Sequence, residues 1–189
     1  MLAGLLLAAP IVAQRDVGGV EDLRGRASEA TFENGRYRQA GIAFDVPADW
    51  KYGGTVAGET PADETAHWTD LQSGANFSAW LSKRKAAPEN VATLLSGVVA
   101  NKTRLREREG YQRWRVWPES IRQTTIGGHQ AVVAVADFES RGTRVPRVEC
   151  LTWIFTPESR VFFFAFISPD QLTTFQPEFD RIVQSANLP

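Results

Sequence analysis

The sequence predicts an α/β protein of the α+β kind: a mostly antiparallel sheet with two principal helices. Three observations carry this. Ile42, Phe44 and Val46 alternate with Gly41, Ala43 and Asp45 before Pro47, which marks a short half-buried strand ended by a residue that cannot donate to a ladder. Val161-Phe162-Phe163-Phe164-Ala165-Phe166-Ile167 is apolar on both faces, as a mid-sheet strand covered from both sides must be. Residues 88–110 and 169–186 repeat apolar side chains at helical spacing.

The elements follow in order. Met1–Ala13 is an apolar run too short to span a bilayer, which takes about 20 residues. Its length fits the apolar region of a signal peptide, with Ala13 as the last residue before cleavage, although no Lys or Arg precedes it. The other reading is a buried N-terminal helix. Residues 14–36 are polar, aperiodic and glycine-bearing, and are expected to be a flexible tether. The folded domain is expected over residues 37–189.

After the first strand and Trp50, Gly53-Gly54 predicts a turn and Glu59–Thr65 a surface loop. His67–Asp70 and Ala75–Leu81 flank Ser73-Gly74, which predicts a hairpin with Phe77, Ala79 and Leu81 on one side. Pro88 opens a helix whose stripe runs Val91, Leu94, Leu95, Val98, Val99, Lys102 and Leu105, with Gly110 as its stop. Lys102, Arg104, Arg106 and Arg108 fall in its last turns, where the helix dipole favours cations.

Gly127-Gly128 predicts a turn before the strand Ala131–Phe138. A second hairpin is expected from Arg147–Phe155 and Val161–Ile167 around Pro157–Ser159. The closing helix buries Leu172, Phe175, Phe179, Ile182, Val183 and Ala186, and Pro177 is expected to split it. The expected core includes Ile42, Phe44, Leu95, Val99, Val133, Phe163, Phe179 and Ile182.

Strand-Pro-x-x-Trp at 42–50, the turn Gly127-Gly128-His129-Gln130-Ala131 before a long strand, and the helix from Phe175 to Ser185 occur in this order across residues 37–189. The chain thereby resembles the PsbP-like fold family, named for an extrinsic subunit of photosystem II. The resemblance implies an α/β/α sandwich, an antiparallel sheet flanked by helices. It also implies a non-catalytic binding, assembly or chaperone module, as in small bacterial envelope proteins. No position matches a partner-binding residue of the photosystem subunit, so none is carried over.

The chemistry is sparse. The formal net charge of −1 provides no global field toward nucleic acid or an anionic membrane. His67 and His129 lie far apart without metal-ligand spacing, so no metal site and no cofactor are expected. Cys150 is the only cysteine. It alternates with Val148 and Thr152 in a strand and reads as a buried, inert thiol. No nucleophile motif is present, and no catalytic residue is assigned.

One segment stands out: Arg113-Trp114-Arg115-Val116-Trp117-Pro118. Extended, it places Arg113, Arg115 and Trp117 on one face and Trp114 and Val116 on the other. Arginine and tryptophan dominate binding hot spots, so Arg113, Trp114, Arg115 and Trp117 are the candidate partner-binding residues, suited to an acidic protein surface. The competing reading is an ordinary edge strand with a buried tryptophan and solvated arginines. Glu107, Glu109 and Glu119 dilute the charge for nucleic acid. The expected function is a non-catalytic binding or assembly module of the bacterial envelope, periplasmic or extracellular. The alternatives are a small hydrolase with dispersed site residues and a carrier of an apolar ligand.

Overall fold

The apolar strand Arg160–Ile167 (β11) lies where its two-sided pattern demands. The computed structural model describes residues 30–188 apart from 40, 58–62, 83–95, 97–98, 101, 105, 108, 141 and 158. In it, β11 sits inside an eight-stranded sheet, between Asn76–Ser82 (β6) and Pro146–Phe155 (β10). The remaining strands are Lys51–Ala57 (β4), Asp63–Thr69 (β5), Gln112–Val116 (β7), Arg122–Ile126 (β8) and His129–Glu139 (β9). The order is β4-β5-β6-β11-β10-β9-β7, with β8 also on β9, and the pairings are antiparallel. A small antiparallel sheet of Thr31–Glu33 (β1), Arg36–Gln39 (β2) and Ile42–Asp45 (β3) accompanies it.

Period-2 alternation along β11 feeds two cores. Val161, Phe163, Ala165 and Ile167 face the larger one, covered by the small sheet and by the helix Leu172–Gln184 (α1). Phe175, Phe179, Ile182 and Val183 supply the buried stripe of α1. Phe163 meets Phe44 edge-on at 5.0 Å and stacks on Phe77 at 5.9 Å. Trp50, returned by the turn at Pro47, is buried and stacks on Phe175 at 5.8 Å. Phe162 belongs to the second core with Trp114, Trp153 and Phe138, and Phe164 and Phe166 pack against it. Over this face lie the helical residues Val99, Lys102 and Arg106.

The fold is thus mainly antiparallel sheet with one C-terminal helix, more β than a sheet flanked evenly by two principal helices. The helix expected from Pro88 is described only in part: the described residues 96, 99, 100, 102–104, 106 and 107 are helical. Pro88, Val91, Leu94, Leu95, Val98 and Leu105 lie outside the described residues or their described side chains.

Five local expectations change. Strands begin at Thr31, inside the stretch read as tether: Asn34 and Gly35 both have positive φ (49° and 76°) and form the β1–β2 turn. A Cβ on Gly35 would lie 2.8 Å from the Val46 carbonyl, so glycine is required there. Gly53-Gly54 makes a bulge within β4, not a turn, and Asp63–Thr65 belong to β5, not to a loop. Pro177 sits inside α1 on its exposed side, so the helix runs through it. Val133 is half-buried, paired with Arg122 of β8 near the sheet margin. Ile42, Phe44, Phe163, Phe179 and Ile182 are core as expected, and Val99 is half-buried against the second core.

Two substitutions test this packing. Phe163→Ala should cost about 3–5 kcal/mol of unfolding free energy, measured by urea denaturation. Thr152 is fully buried and its Oγ1 has no hydrogen-bond partner among the described residues. Thr152→Val should therefore hold or raise stability, by up to about 1 kcal/mol, because an unsatisfied buried hydroxyl is removed at constant shape.

Candidate partner-binding cleft

Strand β7 is the sheet's last strand on one side, so its pairing with β9 decides what the edge presents. Gln112 pairs with Glu139 and Arg115 with Asp137, so two residues, Arg113 and Trp114, oppose Phe138 alone. This is a β-bulge, a device that re-aims side chains at an edge. Arg113 takes a left-handed φ of 55°, which costs a non-glycine residue roughly 1–2 kcal/mol.

The register sorts the segment as its alternation predicts. Arg115, Asp137 and Val148 form one row on the α1 side of the sheet, and Val116, Ala136 and Glu149 form a row on the other. Arg113 and Arg115 are 81% and 73% exposed. Arg113 Nη1 donates to Glu139 Oε1 at 2.8 Å; Arg115 donates through Nη2 (2.7 Å) and Nε (3.3 Å) to Asp137. These bonds leave Arg113 Nε and Nη2 and Arg115 Nη1 without a hydrogen bond among the described residues. Trp117 is half-buried against the larger core. The Arg115 hydrogen bond, helped by Trp117, holds the Asp137 carboxyl below its ordinary range against the opposing effect of burial.

Around these groups opens a cleft of about 680 Å³, walled also by Pro146, Arg147, Val148 and Pro169. All four sequence candidates line it. Trp114 plays a different part from the one expected. It is 6% exposed, its ring lies in the second core, and its Nε1 donates to Glu149 Oε2 at 2.7 Å. It supports the strand and does not offer its indole face to solvent.

Glu149 is the centre of a buried charge cluster that sequence reasoning missed. It is fully buried and accepts from Arg106 Nε (3.3 Å), from Arg106 Nη2 and from Trp114; Lys102 Nζ stands at 3.3 Å. Arg106 also reaches Glu109 at 2.6 Å. Lys102 Nζ sits 4.2 Å above the Phe162 ring, and the Arg106 guanidinium 4.8 Å above Phe166. Arg106, expected only to favour the helix dipole, is thus a buried ion-pair partner. The one signal was Lys102 on the apolar stripe, a charge where the spacing calls for a buried side chain. Burial pushes the Glu149 carboxyl up, and Lys102, Arg106 and Trp114 together pull it below its ordinary range. Burial lowers Lys102 to about 8, more than Glu149 raises it.

The two sides of β7 differ in energy. An exposed ion pair contributes about 0.2–1 kcal/mol. A buried hydrogen bond to a charged acceptor contributes about 1.5–3 kcal/mol, and breaking a buried pair costs about 3–5 kcal/mol. The fixation of β7 therefore comes mainly from behind, and the exposed arginines are nearly neutral for stability.

The other candidate groups lie elsewhere. His67 Nδ1 is 2.8 Å from Ser78 Oγ on the β5–β6 pair, and burial lowers its pKa. Ser78 is buried beneath the surface of that face. His129 lies at the β8–β9 turn. Cys150 is buried, and burial, with Asp180 and Glu149, pushes its thiol up to about 12.

No family model matches the chain, and no curated protein matches it. Solved structures do. CyanoP, the cyanobacterial PsbP of Synechocystis sp. PCC 6803, matches with a TM-score of 0.61 at 18% identity, over 82% of this chain and 91% of its own. LpqN of Mycobacterium tuberculosis, involved in cell envelope biogenesis, matches with a TM-score of 0.54 at 16% identity, over 78% of this chain and 83% of its own. The fold is PsbP-like, and at these identities the likeness is one of fold.

The Lys102 cluster generates a pH prediction. Between about 8 and the ordinary lysine value of 10.5, the native chain has lost the Lys102 proton while the unfolded chain keeps it. Unfolded chains then bind more protons, so stability from this group rises with pH across that window. Lys102→Met, which keeps the stem over the rings, should lack this rise. The wild-type-minus-variant difference, measured by denaturation at each pH, should change by on the order of 1–3 kcal/mol.

Proposed function

We propose that this chain is a non-catalytic binding or assembly module of the bacterial cell envelope. On this reading residues 1–13 are removed on export, residues from 14 up to the first strand are a tether, and the domain works in the periplasm or outside the cell. It docks an acidic protein surface in the β7 cleft. The observation that carries this is the exposed arginine pair, held in place by Asp137 and Glu139 yet retaining unused donors beside Trp117. Guanidinium groups already braced lose less freedom on binding a carboxylate, and a neighbouring indole supplies apolar area. The near neutrality of these exposed pairs for folding also fits a surface shaped for contact.

Further support comes from two sides. LpqN, a neighbour in fold, is involved in cell envelope biogenesis. Between the sheet and α1 the space is occupied by ring contacts among Phe44, Trp50, Phe77, Phe163, Phe175 and Phe179. This favours a packed module over a carrier of apolar ligands.

Titration of the protein with poly-L-glutamate, followed by tryptophan fluorescence, tests the docking. Binding should weaken with salt, since rim charges are screened. Arg113→Ala with Arg115→Ala should weaken it at least about tenfold, equivalent to 1.4 kcal/mol, with an unchanged circular dichroism spectrum. A folded double variant that binds as tightly as wild type removes the cleft as the site. Mass spectrometry of protein from its native host should find an N-terminus after residue 13; an intact Met1 on cytoplasmic protein removes the export reading.

A further inference from the structure

We propose that Glu149 is a positioning residue for the β7 cleft: it fixes, from behind the strand and through Trp114, the bulge that presents Arg113 and Arg115, and it ties that bulge to the helical residues Lys102 and Arg106. The binding arm of this proposal rests on the docking reading above.

The geometry is continuous from one face to the other. Trp114 is one of the two bulge residues and lies in sequence between the two arginines. Its Nε1 reaches Glu149 on β10, although β9 runs between the two strands. Ala136 occupies the intervening position in the row from Val116 to Glu149, and its small side chain leaves the indole room to pass. Glu149 in turn has no freedom to follow the strand. Arg106 holds it through two nitrogens, Lys102 adds a third contact, and Arg106 is itself held by Glu109. Tyr111, one residue before β7, packs on Phe138 and Phe166 and lies 5.2 Å from the Arg106 guanidinium.

A left-handed non-glycine residue persists only where its surroundings over-determine it. At Arg113 the front of the strand supplies only exposed ion pairs to Glu139 and Asp137. The buried bond from Trp114 to Glu149 is the stronger restraint, and it acts on the residue next to the strained one. The cleft's arginines are thus set by a carboxylate that no ligand in the cleft would touch.

The test is Trp114→Phe, which keeps an aromatic ring in the second core while removing the Nε1 donor together with part of the indole's volume; the lost volume is what the control must match. The readouts are the Arg113 and Arg115 Nε–Hε resonances and the affinity for poly-L-glutamate. Val132→Ala is the control. It loosens the same core away from β7, opposite Trp153. The expected result is a folded Trp114→Phe protein whose two arginine resonances shift or broaden and whose affinity falls about fivefold. Val132→Ala should also lower the melting temperature while leaving resonances and affinity at wild-type values. Unchanged arginine resonances in Trp114→Phe, or equal changes in Val132→Ala, overturn the positioning role. If wild-type protein ignores poly-L-glutamate, the docking reading fails, and the resonances alone decide the role of Glu149.

Discussion

A strand apolar on both faces cannot lie at the surface, and most of this architecture follows from that constraint on β11. Its two flanks are closed by β6 and β10, its faces by α1 with the small sheet and by helical residues on the far side. Fully burying each phenylalanine contributes on the order of 1.5–3 kcal/mol, so a slip of β11 toward an edge would forfeit several such terms at once. The two cores are consequences of its alternation. Phe163 belongs to one and Phe162 to the other, and no residue of the strand is spared for solvent except Arg160 at its start.

The second core is the less conventional. Into an aromatic layer of Phe162, Phe164, Phe166, Phe138 and Tyr111 the chain inserts two cations and a carboxylate. Apolar residues of similar volume would often serve stability as well or better. The rings soften the cost, since each cation lies over a π-face while its charge is met by Glu149. The cluster also links elements that apolar contact alone would leave free to slide: the helical segment, β10 and, through Trp114, the edge strand.

Much of this was legible. Pro47 and Trp50, the Ser73-Gly74 and Gly127-Gly128 turns, the hairpin of β10 and β11, and the stripe of α1 each follow from local pattern and turn chemistry, and the structure has them where the residues point. Asn34-Gly35 was equally readable as a hairpin signal. The strands it joins are short and charged, so no hydrophobic alternation accompanies it. Gly53-Gly54 misled because a glycine pair fits a bulge as well as a turn, and only the partner strand decides between them. Pro177 misled because the cost of an interior proline is lower where the freed carbonyl meets solvent. The division of 113–117 into two faces was visible in the alternation. What stood behind Trp114 was not, because Glu149 sits thirty-odd positions away in an apolar strand and nothing in its neighbours announces a charge partner.

Edge strands are held by one neighbour only, and register there is weakly specified unless a buried group fixes it. In β7 a one-residue slip would send Trp114 and Val116 to the α1 side and drive Arg115 toward the second core. Hydrophobic contrast alone opposes this, yet five residues supply little of it. The bond between Trp114 and Glu149 is directional and is formed in one register only. The ion pairs of Arg113 and Arg115 on the opposite side obey the same register, since Glu139 and Asp137 are spaced to meet them across the bulge. Front and back of the strand therefore select the same alignment by independent means. The buried cluster contributes the larger energy, and the exposed pairs are left free to serve the surface.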